Sequence, residues 1–144
     1  MAVFEFERMP GVELEVTNFY AKVQEVGGPA EPQVVLRLGT SWQIEAEWEV
    51  IGVACASIHG NWIISGYLES IGAAAEYDLG EVRVAMSGCG DHVGVLLIAG
   101  GTVTEPGPYK LVTTLTAEDE AVTPHLHPMA GYMEGPILQF FETP

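Results

Sequence analysis

Residues 41–50 read "SWQIEAEWEV". Within this stretch Trp42, Ile44, Ala46, Trp48 and Val50 alternate with Gln43, Glu45, Glu47 and Glu49. Successive side chains of a strand point to opposite faces, so the spacing predicts a strand with one apolar face and one acidic face. A helix would carry the glutamates round its circumference and leave the tryptophans without a common stripe. One-sided burial of this kind belongs to an antiparallel sheet that covers a core on one side and meets water on the other.

Segments of similar character recur on both sides. "PQVVLRL" (32–38) precedes it, and "NWIISGYLES" (61–70), "EVRVAM" (81–86), "VGVLLIAGG" (93–101), "YKLVTTLT" (109–116) and "PILQFFE" (136–142) follow. Gly, Pro, Asp and Ser punctuate the intervals, and no sustained helical period appears between Pro32 and Glu142. The expectation is an all-β fold, an antiparallel β-sandwich of about 7–9 strands with an immunoglobulin-like plan; a closed β-barrel is the alternative. The run "VGVLLI" is apolar on both faces, which places it either centrally under cover or against another subunit.

The first thirty residues are a different case. "VFEF" (3–6) and "VELEV" (12–16) alternate like strands, whereas Phe19, Tyr20, Val23 and Val26 fit a short helix equally well. The linker-like "GGPAEP" (27–32) then divides residues 1–31, read as N-terminal strands or an exchangeable arm, from a sandwich domain over 32–144.

Size and charge narrow the function. The 144 residues are 48% hydrophobic, which argues for one folded domain. Twenty acidic residues against five basic ones give a formal charge of −15. Such a surface repels nucleic-acid phosphates and anionic lipid, so neither nucleic acid nor a membrane is expected as partner. No apolar run approaches the ~20 residues of a membrane helix. The start "MAVFEFERMPG" lacks the pattern of an export signal, so a cytoplasmic location is the default expectation.

Reactive side chains fall in three loops. If strands run alternately up and down from Trp42–Val50, one pole collects Cys55 and His59, then Cys89, Asp91 and His92, then Glu118, Asp119, Glu120, His125, His127 and Glu134. "TPHLHP" (123–128) would aim His125 and His127 the same way along a proline-stiffened segment. Zinc or a similar transition metal takes about four such ligands, so His125, His127, His59, His92 and Asp91 form the candidate metal set. A stiff polar turn is the competing reading of "TPHLHP". Cys55 and Cys89 are either buried thiols or a disulfide.

No phosphate loop, EF-hand loop or "GxSxG" elbow is present. The glycine spacing and the following glutamate of cupin metal sites are also missing. Trp42, Trp48 and Trp62 lie on apolar strand faces and are expected in the core rather than on a sugar-binding platform. The sequence thus points to a non-enzymatic, cofactor-free acidic module that binds protein or assembles into homo-oligomers. A metal-binding, hydrolytic protein with its site at the loop pole is the alternative.

Overall fold

A computed structural model describes residues 2–6, 15–28, 32–52, 55–72, 74–119 and 126–142, with backbone alone considered for 2–6 and 126–130. Its strands are β1 (Ala2–Phe6), β2 (Glu15–Glu25), β3 (Val35–Arg37), β4 (Trp42–Ile51), β5 (Asn61–Ser70), β6 (Tyr77–Ala85), β7 (Gly90–Ile98), β8 (Gly107–Glu118) and β9 (Leu126–Phe141). A single 3-10 turn at Cys55–Ser57 is the one helical element among the described residues. None of those residues forms a helix long and apolar enough to cross a membrane.

Two sheets face each other. One has the order β1-β9-β8-β5-β6, with β3 alongside β9, and the other the order β2-β4-β7. The chain changes sheet repeatedly, among other places between β4 and β5 and between β6 and β7, yet among the described residues no ladder joins the two sheets, so the architecture is a sandwich rather than a closed barrel. All ladders are antiparallel except β3–β9, where Val35–Arg37 runs parallel to Gln139–Phe141.

The decisive stretch behaves as its alternation requires. On β4, Trp42, Ile44, Ala46, Trp48 and Val50 are buried, while Gln43, Glu45, Glu47 and Glu49 stay partly open to water. Facing them from the other sheet are Trp62, Ile64 and Leu68 of β5, and Tyr109, Leu111, Leu115 and Ala117 of β8. The core has two lobes along the strand axis. One gathers Trp42, Leu68, Tyr109, Leu138 and Phe140, and the other Trp48, Trp62, Val50, Cys55 and Leu115. All three tryptophans are core residues, which removes the sugar-platform reading.

Residues 15–25 are a strand, not a helix. Val16, Phe19, Ala21 and Val23 are buried against the core. A bulge between Thr17 and Tyr20, with Asn18 at φ 55°, inserts an extra residue and carries Phe19 back to the inner face. Beyond the bulge Phe19, Ala21 and Val23 alternate as a strand should, and the helix-like spacing comes from Tyr20 and Val26, apolar residues that are exposed rather than buried. β1 pairs with β9 from Ala2↔Met133 to Phe6↔Met129, so the N-terminal residues contribute strands to both sheets.

β9 is longer than "PILQFFE" indicated: it spans 16 residues. Leu126, His127 and Pro128 therefore belong to a strand rather than a turn, whereas 123–125 lie outside the described residues. Proline at the start of a strand costs no ladder bond if its position faces away from the partner.

Gly94 explains why an apolar strand carries a glycine at its centre. A Cβ there would collide with Ile64 Cδ1 and stand 2.8 Å from Val84 Cγ2, because the two sheets approach closely above Trp48. Gly94→Ala is expected to destabilise the fold by about 1–3 kcal/mol through overpacking. A lower urea midpoint at unchanged slope would be the observation; an unchanged midpoint would show that the sheets do not meet there.

Candidate functional site

The ends of β4, β6 and β8 lie at one pole, since Val50 pairs with Gly90 and Asn61 pairs with both Ala85 and Glu118. Two of the three loops are tied there by a Cys55–Cys89 disulfide with Cα atoms 5.1 Å apart. Cys55 is buried in the Trp48–Trp62 lobe and Cys89 is exposed, so the bond runs from core to surface.

His92 is 6% exposed and stacks on Trp48 with ring centroids 5.7 Å apart. Its Nδ1 lies 2.9 Å from the Gly90 carbonyl oxygen, which can only accept, so Nδ1 carries the proton. Nε2 then accepts from the Ser87 hydroxyl at 3.1 Å. A serine within reach of an oriented histidine is how a nucleophile pair begins. Here both ring nitrogens bond within one short loop and the ring lies flat on an indole, an arrangement that holds the 87–90 turn in shape. Ser87 was not singled out from sequence; its offset of five residues from His92 matches no motif.

The remaining candidates are dispersed. His59 is exposed, and so is Asp91, which pairs with Glu49 across β4 and β7. Glu118 is turned to Arg83, whose Nε donates to Oε1 at 2.7 Å, and Asn61 Nδ2 donates to the same oxygen at 3.3 Å. The Arg83 hydrogen bond holds the Glu118 carboxyl below the usual carboxylate range. Glu134 sits within β9 opposite Val112, away from the pole, because β9 starts earlier than the sequence suggested. His125 lies outside the described residues, as does Glu120, and only the backbone of His127 is described. Among the described residues no three of His, Cys, Asp and Glu gather round one point.

Elsewhere a groove of about 180 Å³ opens between β2 and β9, lined by Tyr20, Lys22, Gln33, Met133 and Pro136 among others. That is below the roughly 300–1,000 Å³ of small-molecule sites.

A different feature stands out on the β2-β4-β7 sheet. β7 is its edge strand, with β4 on one side. Its inner residues His92, Gly94, Leu96 and Ile98 are buried, while Val93, Val95 and Leu97 on the outer face are 51%, 37% and 67% exposed. Across the ladder these three stand opposite Glu47, Glu45 and Gln43 of β4. Lys22 of β2 answers the acidic row, reaching Glu45 at 3.4 Å and Glu47 at 3.7 Å. The outer face therefore grades from charged at its centre to apolar at the β7 edge. Among the described residues, the run "VGVLLI" is thus neither central in its sheet nor covered on its outer face.

Comparison with known proteins places the fold and no more. No family model matches the chain, and no curated protein is similar to it in sequence. Among solved structures it is similar to "the C-terminal domain of wzt", at a TM-score of 0.60 and 10% identity over 99% of this chain and 78% of that one. Weaker likenesses are to a β-glucosidase from Listeria innocua (TM-score 0.48, 14% identity, 85% of this chain but 16% of that one) and to a CARDB domain from Pyrococcus furiosus (0.44, 11%, covering 91% and 90%). At such identities the first likeness supports the β-sandwich alone.

The disulfide closes a span of 34 residues. Loop-closure entropy then assigns it about 3–4 kcal/mol. Reducing it, or replacing both cysteines by alanine, should lower the melting temperature, whereas a melt unmoved by reductant would mean that the pole is held by packing alone.

Proposed function

We propose that this chain is a non-enzymatic β-sandwich module that works by associating with protein, and that the outer face of β7 is where it does so. The observation that carries this reading is the row Val93, Val95 and Leu97, uncovered among the described residues on a strand whose second edge has no neighbour among them. Scattered exposed apolar residues need no explanation, but three in register on one strand edge form a stripe. Natural sheets blunt such edges with lysine, proline or bulges. The opposite sheet does so: β6 carries Asp78, Glu81 and Arg83. On β7 no charged residue and no proline occurs from His92 to Ile98.

Further support comes from the pole chemistry. His92 and Glu118, both buried there, are engaged within the fold, which favours a structural part for the loops that hold them. The two-sheet sandwich suits the same role, since stacked sheets present broad faces and free edges to partners.

Replacing Val93 and Leu97 together by serine tests the reading. At high dilution the double variant should melt within about 0.5 kcal/mol of the parent, as surface substitutions do, while its retention on a hydrophobic matrix falls. A large loss of stability at high dilution would instead mean that the row is covered within the chain, and the association reading would fail.

A further inference from the structure

Resting on the association reading above, we propose that the occupant of the β7 edge is a second copy of this chain. It is held by antiparallel β7–β7 pairing about a two-fold axis at Val95.

The first argument is electrostatic. A chain of formal charge −15 is repelled by its own copies, and more strongly the closer their acidic surfaces come. On this sheet the carboxylates of Glu45, Glu47 and Glu49 stand on β4, one strand behind the edge. Pairing two copies through β7 leaves β7 and its copy between the two acidic rows. Three strand spacings of about 4.8 Å then separate them, roughly 14 Å in all. The Debye length at physiological salt is about 8 Å, so most of that repulsion is screened. The other strand edges carry charged residues on the edge strand itself: β6 has Asp78, Glu81 and Arg83, β2 has Glu15, Lys22 and Glu25, β1 has Glu5 and β3 has Arg37.

The second argument is geometric. A two-fold axis perpendicular to a sheet brings one residue opposite its own copy, and the contact is self-complementary. Centred on Val95, the pairing sets Val93 opposite the copy's Leu97 and Leu97 opposite the copy's Val93, so the whole exposed row faces its like. Asp91 then stands opposite the copy's Ala99 and far from the copy's Asp91. Centring one residue earlier, on Gly94, would put Asp91 opposite Leu97. The paired row joins two three-stranded sheets into one of six strands, β2-β4-β7-β7-β4-β2. Alternate β7 residues, whose N–H and C=O groups point away from β4, gain ladder partners.

The 144-residue chain with its disulfide intact is the material for the test. Sedimentation equilibrium over a dilution series should give a mass rising from 15.5 kDa towards twice that value, and rising further at high salt, where charge repulsion is screened. Val95→Lys places two like charges face to face at the axis, and should raise the dissociation constant on the order of tenfold or more without changing the melt at high dilution. Directly opposed strand residues have Cα atoms about 4.5–5.5 Å apart, within disulfide range. Val95→Cys alone should therefore cross-link under mild oxidation. Val93→Cys and Leu97→Cys should each fail alone and cross-link when mixed.

A mass of 15.5 kDa at every concentration and salt would overturn self-pairing. So would a dimer indifferent to Val95→Lys, or self-cross-linking of Val93→Cys. If self-pairing fails while the serine double variant still loses matrix retention at unchanged stability, association through β7 stands with a different partner. Loss of stability in that variant removes both.

Discussion

Strand β4 is the constraint on which the rest of the molecule depends. It is the only strand of its sheet with neighbours on both sides, and its five inner residues span both lobes of the core. Two of those residues are tryptophans, and truncating such a side chain to alanine costs about 3–5 kcal/mol. Because that face must be covered, a second sheet must lie over it. Because the reverse face carries Glu45, Glu47 and Glu49, that side must meet water or a cation such as Lys22. The sandwich and the charge of its outer face both follow from one alternating stretch.

The same stretch shows why much of the fold was legible. Wherever apolar and polar residues alternate without interruption, as on β4, the sequence carries both the element and its buried face. Where an extra residue intervenes the signal is lost. The bulge at Thr17–Tyr20 shifts the inner face of β2, and the exposed apolar Tyr20 and Val26 add a helix-like spacing that only pairing with β4 resolves. The prolines around "HLH" concealed the first part of β9, because proline usually marks an interruption, whereas Pro128 lies within the strand. "VGVLLI" was ambiguous for another reason: burial on both faces and exposure on one give identical composition, and strand order alone separates them.

The polar pole was legible in outline only. Strand parity brings the loops after β4 and β6 to one end, and the Cys55–Cys89 bond spans them. What parity could not supply is side-chain direction. His92 points inward to Trp48 and spends both nitrogens on its own loop, Glu118 turns to Arg83, and His59 faces solvent. Ligand-type residues gathered at one end are therefore not a site until their lone pairs converge. The uncovered edge of β7, by contrast, needs no convergence, since a strand edge is a repeating row of donors and acceptors with apolar side chains beside it.

Amide hydrogen exchange across the β7 edge tests the central claim most directly. The outward-facing N–H groups between Asp91 and Ile98 should exchange freely in dilute protein and become protected as concentration rises, while those of the β6 edge stay unchanged. Protection of β7 that does not vary with concentration, or that appears equally along β6, would contradict the account.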